Sequence, residues 1–185
     1  MDHNIILIRS ESSIRPFKEI FEGFFPEGRV DFPGPRTTFI VQPVSESPPN
    51  PEDLYHLLLS DIEENLTFLS LPGVAQTLFG DDFLINGLAQ IKHGHYEYEA
   101  FLLALIKAGK SYQDTLRRSI GSALESTHIH NALALAHHNM NISLAAKALY
   151  VHRNTLNYRI ESIREKTGIN IRQFDGLMIF HLLFS

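Results

Sequence analysis

Residues 141–160 read NISLAAKALYVHRNTLNYRI, and this stretch decides the architecture of the C-terminal part of the chain. Asn141 can offer a side-chain oxygen to the free backbone N–H groups that open a short helix. Ala145 and Ala146 are small enough for a second helix to cross closely. Leu149 and Val151 are apolar at a turn, His152 stands where a cap belongs, and Arg153 opens the next helix. On that helix Leu156, Ile160, Ile163 and Thr167 recur at a 4-3-4 spacing and form one stripe. Gly168 lies just past its end, where a left-handed C-cap is cheapest for glycine. Helices over 142–149 and 153–167, joined by a tight turn, make a helix-turn-helix.

The exposed faces of the second helix follow from about 100° of rotation per residue. Asn154, Tyr158, Glu161 and Glu165 fall opposite the stripe, Arg153, Asn157 and Arg164 on one flank, and Thr155, Ser162 and Arg159 on the other. A face serving solubility alone would be mainly Glu and Lys. Arg, Asn, Thr and Tyr in the first turns can instead read base edges or clasp phosphates, and a recognition helix presents its N-terminal part to the major groove. The expected DNA-binding set is Lys147, His152, Arg153, Asn154, Thr155, Asn157, Tyr158, Arg159, Arg164 and Lys166. Within it Asn154, Asn157 and Tyr158 are expected on bases, and Lys147, Arg159, Arg164 and Lys166 on phosphates. His152 reads as a cap or a phosphate contact.

The stretch AAKALYVHRNTLNYRIESIREKTG, residues 145–168, resembles the C-terminal helix-turn-helix of PucR/CdaR-type transcription regulators. More distantly, N-x-S-x-A-A followed by R-N-T-L resembles the Fis-type motif. The resemblance implies a bacterial DNA-binding regulator whose second helix reads DNA, which carries over to Arg153, Asn154, Thr155, Asn157, Tyr158 and Arg159. Tyr150 occupies the turn where many such motifs have glycine, although aromatics are familiar there in the PucR group. A tyrosine at positive φ is strained, so the turn is expected to differ in shape or Tyr150 to pack as an anchor. Regulators of this group commonly carry longer sensory regions upstream. The N-terminal region here resembles a reduced form of the group's degenerate GGDEF-like domain.

Charge distribution agrees with a nucleic-acid partner. The chain carries a net −5, yet between Lys147 and Arg172 six cations face two carboxylates for a local +4, leaving −9 on the rest. An acidic body with one basic module is the pattern of a DNA-binding protein whose body does something else. There is no cysteine, which excludes a disulfide framework, thiolate zinc sites and a cysteine nucleophile. The brief apolar run Ile5–Ile8 lacks the basic start and length of a signal peptide, and no segment has the roughly 18 apolar residues of a membrane span. A cytoplasmic protein without a membrane partner is expected.

Upstream, residues 4–9 read as a buried strand and 14–24 as a helix with Ile14, Phe17, Ile20, Phe21 and Phe24 on one face. Residues 26–35, rich in Pro and Gly, read as loop, 37–44 as a strand, 45–51 (SESPPNP) as a linker, 52–64 as a helix and 65–71 as a third strand. From residue 81 onward the spacing is helical, with helices near 82–91, 96–108, 112–124, 128–138 and 172–184 flanking the motif. The fold class expected is α+β: a small β-α-β-α-β region followed by an all-helical one. Three parts follow: 1–75, with an effector or dimerisation role, a helical connector over 76–138, and the DNA-binding domain over 139–185.

Ten histidines invite a metal reading. His93-Gly-His95 and His128-Ile-His130, both placed at helix ends, lack a partner carboxylate at ligand spacing, as do His137-His138, so no metal site is expected. The cluster at residues 95–98 reads as surface and core, and Phe17, Phe21, Phe24 and Phe25 as core or a dimer seam. No G-x-S-x-G, P-loop, G-x-G-x-x-G or GGDEF-type sequence occurs, so neither an enzyme nor a cofactor is expected. One helix-turn-helix seldom binds tightly enough alone, which favours a homodimer on paired half-sites. A small-molecule effector is left open. The rival to a DNA-binding regulator is an interaction adaptor whose helix-turn-helix no longer meets DNA.

Overall fold

The structure, a computed structural model, describes residues 3–43, 50–61 and 65–185. A five-stranded sheet has the order β2 (Arg29–Gly34), β3 (Thr37–Pro43), β1 (His3–Ser10), β4 (Leu66–Pro72) and β5 (Gly94–Glu97). Its central strand β1 (His3–Ser10) runs antiparallel to both β3 (Thr37–Pro43) and β4 (Leu66–Pro72). Side chains alternate across a strand, so the unbroken apolar run of β1 divides between two cores. Ile5 and Leu7 join Leu69 and Leu71 on one face. Ile6 and Ile8 join Ile40, Leu66 and Phe68 on the other. A sheet buried on both faces needs such continuous runs rather than an apolar–polar alternation.

The second face is closed by helix α1 (Lys18–Phe24), entered through a 3-10 turn at Arg15–Phe17, and by α2 (Pro51–Asp61). Phe21 and Phe25 are fully buried there with Leu54 and Leu58, and Phe17 and Phe24 pack at the margin. These phenylalanines fill the core on this face of the sheet. The linker expected over 45–51 and the end of the helix expected to residue 64 lie largely outside the described residues.

The first face carries the helical part: α3 (Gly73–Phe79), α4 (Asp81–Leu88), α5 (Tyr98–Ala108), α6 (Lys110–Ala123), α7 (Ser126–His137), α8 (Ile142–Ala148), α9 (Arg153–Thr167) and α10 (Phe174–Phe184). One continuous cluster joins Ile5 and Leu7 of the sheet to Leu156 and Ile160 of α9 and Phe180 of α10.

The α+β class holds, with three additions to the expected order. The Pro/Gly-rich segment expected as loop contains β2 (Arg29–Gly34), which pairs with β3 with a register shift between Asp31 and Gly34. Its Pro33 is tolerated because β2 is an edge strand, where a missing backbone donor breaks no ladder bond. The segment expected to be wholly helical contains β5 (Gly94–Glu97), added parallel to β4 at the opposite edge. Four residues show no period of their own, so β5 is defined by its pairing with β4. Helix α3, directly after Pro72, was not anticipated either.

Candidate nucleic-acid interface

Helices α7 to α10 build the candidate interface, and local chemistry explains its joints. Asn141 Oδ1 accepts the Leu144 backbone N–H at 3.0 Å and caps α8. His152 Nδ1 accepts the Asn154 N–H at 3.2 Å and caps α9. Ala145 and Ala146 are buried between the crossing helices. Leu156, Ile160, Ile163 and Thr167 are all buried, so the stripe read from spacing is the face that holds α9 to the body. Burying each of its aliphatic side chains contributes about 1.5–3 kcal/mol. Gly168 takes φ 76° and donates to Arg164 O at 2.7 Å, closing the helix.

The α8–α9 turn corrects the expectation for Tyr150. The turn does not avoid the left-handed region: Tyr150 has φ 54°. Its side chain anchors nothing, because it is 97% exposed. Val151 N–H bonds Ala146 O at 3.0 Å, the six-to-one bond of a Schellman turn, which places the left-handed residue at this position.

The expected contact residues divide into three groups. Arg153, Asn154, Thr155 and Tyr158 (78% exposed) project from the first turns of α9, with Lys147 and His152 exposed close by in sequence. Asn157 is half-buried, and its Oδ1 accepts from Arg172 Nη2 at 3.0 Å. Arg159 is half-buried and lines a cleft against the start of α7. Arg164 and Lys166 stand at the far end of α9, about 16 Å or more along the axis from Arg153 at a 1.5 Å rise per residue. Arg164 pairs with Glu161 at 3.6 Å and borders a polar cleft beside the sheet.

Two features escaped sequence reasoning. Arg172 counted only as charge, because no periodicity links it to Asn157 across the loop between α9 and α10. Tyr98 sits at the start of α5, and its buried hydroxyl donates to Thr167 O at 2.9 Å, locking the end of α9 to the body. Burial first, and the Glu99 carboxylate second, push the Tyr98 hydroxyl well above its ordinary pKa, so it remains a donor. Glu99 adds a second tie by accepting the Asn170 N–H at 2.9 Å.

The histidine pairs are separately engaged. His93 meets Thr67 Oγ1 at 3.2 Å and Glu11 at 3.2 Å, and His95, in β5 rather than at a helix end, stacks on Tyr55. His128 Nδ1 accepts the Glu125 N–H at 3.3 Å in a capping box, whereas His130 is exposed. Among the described residues no group of three or more His, Asp or Glu side chains could hold a metal ion, and no helix is long and apolar enough to cross a membrane.

The PucR C-terminal helix-turn-helix domain family matches residues 129–185. Two curated relatives are each 40% identical over 45 residues: the uncharacterized protein YxkF of Bacillus subtilis and the carbohydrate diacid regulator of Escherichia coli. The matched segment is 24% of this chain and only 15% and 12% of theirs. A solved regulator of polyketide synthase expression from Bifidobacterium adolescentis aligns over 99% of this chain and 79% of its own, at TM-score 0.48 and 15% identity. Over residues 129–185, therefore, the chain carries a helix-turn-helix of the PucR kind.

Proposed function

We propose that this protein is a transcription regulator of the PucR/CdaR type that binds double-stranded DNA as a homodimer and reads the major groove with the first turns of α9. The observation that carries this reading is the exposed Arg153-Asn154-Thr155 and Tyr158 face on a capped helix, in a domain matching the PucR helix-turn-helix. Asn154 is the leading base reader. Asn157 would need both amide atoms for a bidentate contact to adenine, and its oxygen is held by Arg172. Lys147, Arg153 and Arg159 supply phosphate contacts, with Arg164 and Lys166 adding field from a distance. The sheet-bearing region receives an effector or holds the dimer together.

The test begins by selecting bound duplexes from a random pool and measuring affinity against salt. Asn154→Ala should lose about 1–3 kcal/mol of discrimination between selected and scrambled duplexes. Asn157→Ala should lose less. If both variants discriminate like the parent, the base-reading assignment is wrong. Light scattering that gives a monomer both free and on DNA would remove the dimer.

An adaptor reading draws on a different observation: Leu144, Tyr150 and Tyr158 are 53%, 97% and 78% exposed on the same motif, a surface a protein partner would bury. Duplex binding that weakens with salt, by about 0.9 in log–log slope per phosphate contact, favours DNA. Absence of duplex binding favours the adaptor.

A further inference from the structure

A cleft of about 610 Å³ lies between the start of α7 and the α8–α9 turn, and Asn154, Asn157 and Tyr158 are not among its lining residues. Its polar walls are Ser126, Thr127, His130 and Asn131 of α7, Tyr150 of the turn and Arg159 of α9. Each of these side chains can donate a hydrogen bond, and none is a carboxylate. Asn131 is 1% exposed, and its amide nitrogen is buried without a hydrogen-bond partner among the described residues. A buried donor left without a partner destabilises the fold, and an apolar residue of similar shape would avoid that penalty. Tyr150, on the facing wall, keeps a strained backbone with an exposed side chain. Two unfavourable features on one cleft beside a guanidinium call for an acceptor from outside the chain.

The geometry points to an oxyanion site in this cleft, in which Asn131, Arg159, Tyr150 and the Ser126 hydroxyl take a phosphate group supplied by the backbone of bound DNA. This rests on the DNA-binding reading. Arg159 provides the counter-charge. The Glu125 carboxylate opposes it, but is turned onto its own helix, where it accepts the His128 backbone N–H and the Thr127 hydroxyl (3.4 Å). A duplex phosphate and a free phosphate ester share this chemistry, so the experiment separates them.

The full chain is used throughout. Asn131→Leu removes the buried donor and keeps the volume. The melting temperature should hold or rise, while affinity for selected and scrambled duplexes falls alike by about tenfold. A purely structural Asn131 would give the reverse, a lower melting temperature with no loss of binding by the folded fraction. In parallel, inorganic phosphate is titrated without DNA while the Asn131 side-chain amide resonances are followed. They should shift and saturate, and Arg159→Gln should weaken that response. If phosphate moves the amide but Asn131→Leu leaves duplex affinity unchanged, the oxyanion site stands and its source is a free phosphate ester. If neither duplex affinity nor the amide responds, the site is overturned, and Asn154→Ala judges the DNA reading separately.

Discussion

Tyr150 holds φ 54° with its ring in solvent, so no packing of its side chain offsets the close approach of its Cβ to its own backbone. For a non-glycine residue this conformation costs about 1–2 kcal/mol. Tyr150→Gly should therefore raise stability by about 1 kcal/mol, read as a higher urea midpoint at unchanged slope, while lowering duplex affinity if the hydroxyl meets phosphate. Equal stability in the variant would mean that the turn relaxes in solution. Asn139 and Met140, at φ 51° and 63°, repeat the conformation in the α7–α8 connector, where asparagine bears it with less strain than most residues. Tyr150 is anomalous from sequence alone, but neither a reshaped turn nor an anchoring side chain accommodates it. The six-to-one bond from Val151 to Ala146 imposes the left-handed residue whatever its side chain.

At the scale of the element, α9 is fixed at its start by a cap and at its end by a close approach. His152 caps the first turn through Nδ1. His152→Ala should cost about 1 kcal/mol and His152→Asn should recover most of it, measured by chemical denaturation. Gly168 ends the helix at φ 76°, and a Cβ there would lie 2.5 Å from Pro72 Cγ and 3.2 Å from both Tyr98 and Val74 side chains. Gly168→Ala combines backbone strain with overpacking and should destabilise by about 2–4 kcal/mol. A loss far below that range would show that the last turn is not held against the sheet. The glycine was legible in the sequence as a C-cap. Its second role, the close packing on Pro72, was not.

For the molecule as a whole, the end of α9 is tied to the sheet-bearing body by Tyr98–Thr167 and Glu99–Asn170. Tyr98→Phe leaves the Thr167 carbonyl short of a partner and should cost about 1 kcal/mol. It should also speed amide exchange in the last turn of α9 more than in its first. Acid acts at the other joint. Burial chiefly, with Lys166 and Arg159 assisting against Glu125, lowers the His128 pKa from its ordinary 6.5. The folded state thus favours neutral His128, whose Nδ1 must accept the Glu125 N–H. Stability from this group is fully present above about pH 6.5 and is lost as pH falls through the lower folded value, because the unfolded chain binds the proton first. Melting temperatures from pH 8 to 5 should fall more for the parent than for His128→Gln. Parallel curves would remove His128 from the acid limb.

Local sequence sets α9 to the residue, its buried stripe, the Asn141 cap, and β1, β3 and β4 with their apolar runs, and it narrows His152 to a cap or a phosphate contact. Each depends on interactions within a few residues of chain, or on a period that burial imposes on one element. The tertiary structure alone decided β5, whose four residues become a strand only against β4, and the edge strand β2. It also decided the bond between Arg172 and Asn157 and the cleft that brings Asn131 to Arg159. These join residues separated by long stretches of chain. No local period or cap records such a meeting, because its energy comes from surfaces that face each other only after the helices have packed on the sheet.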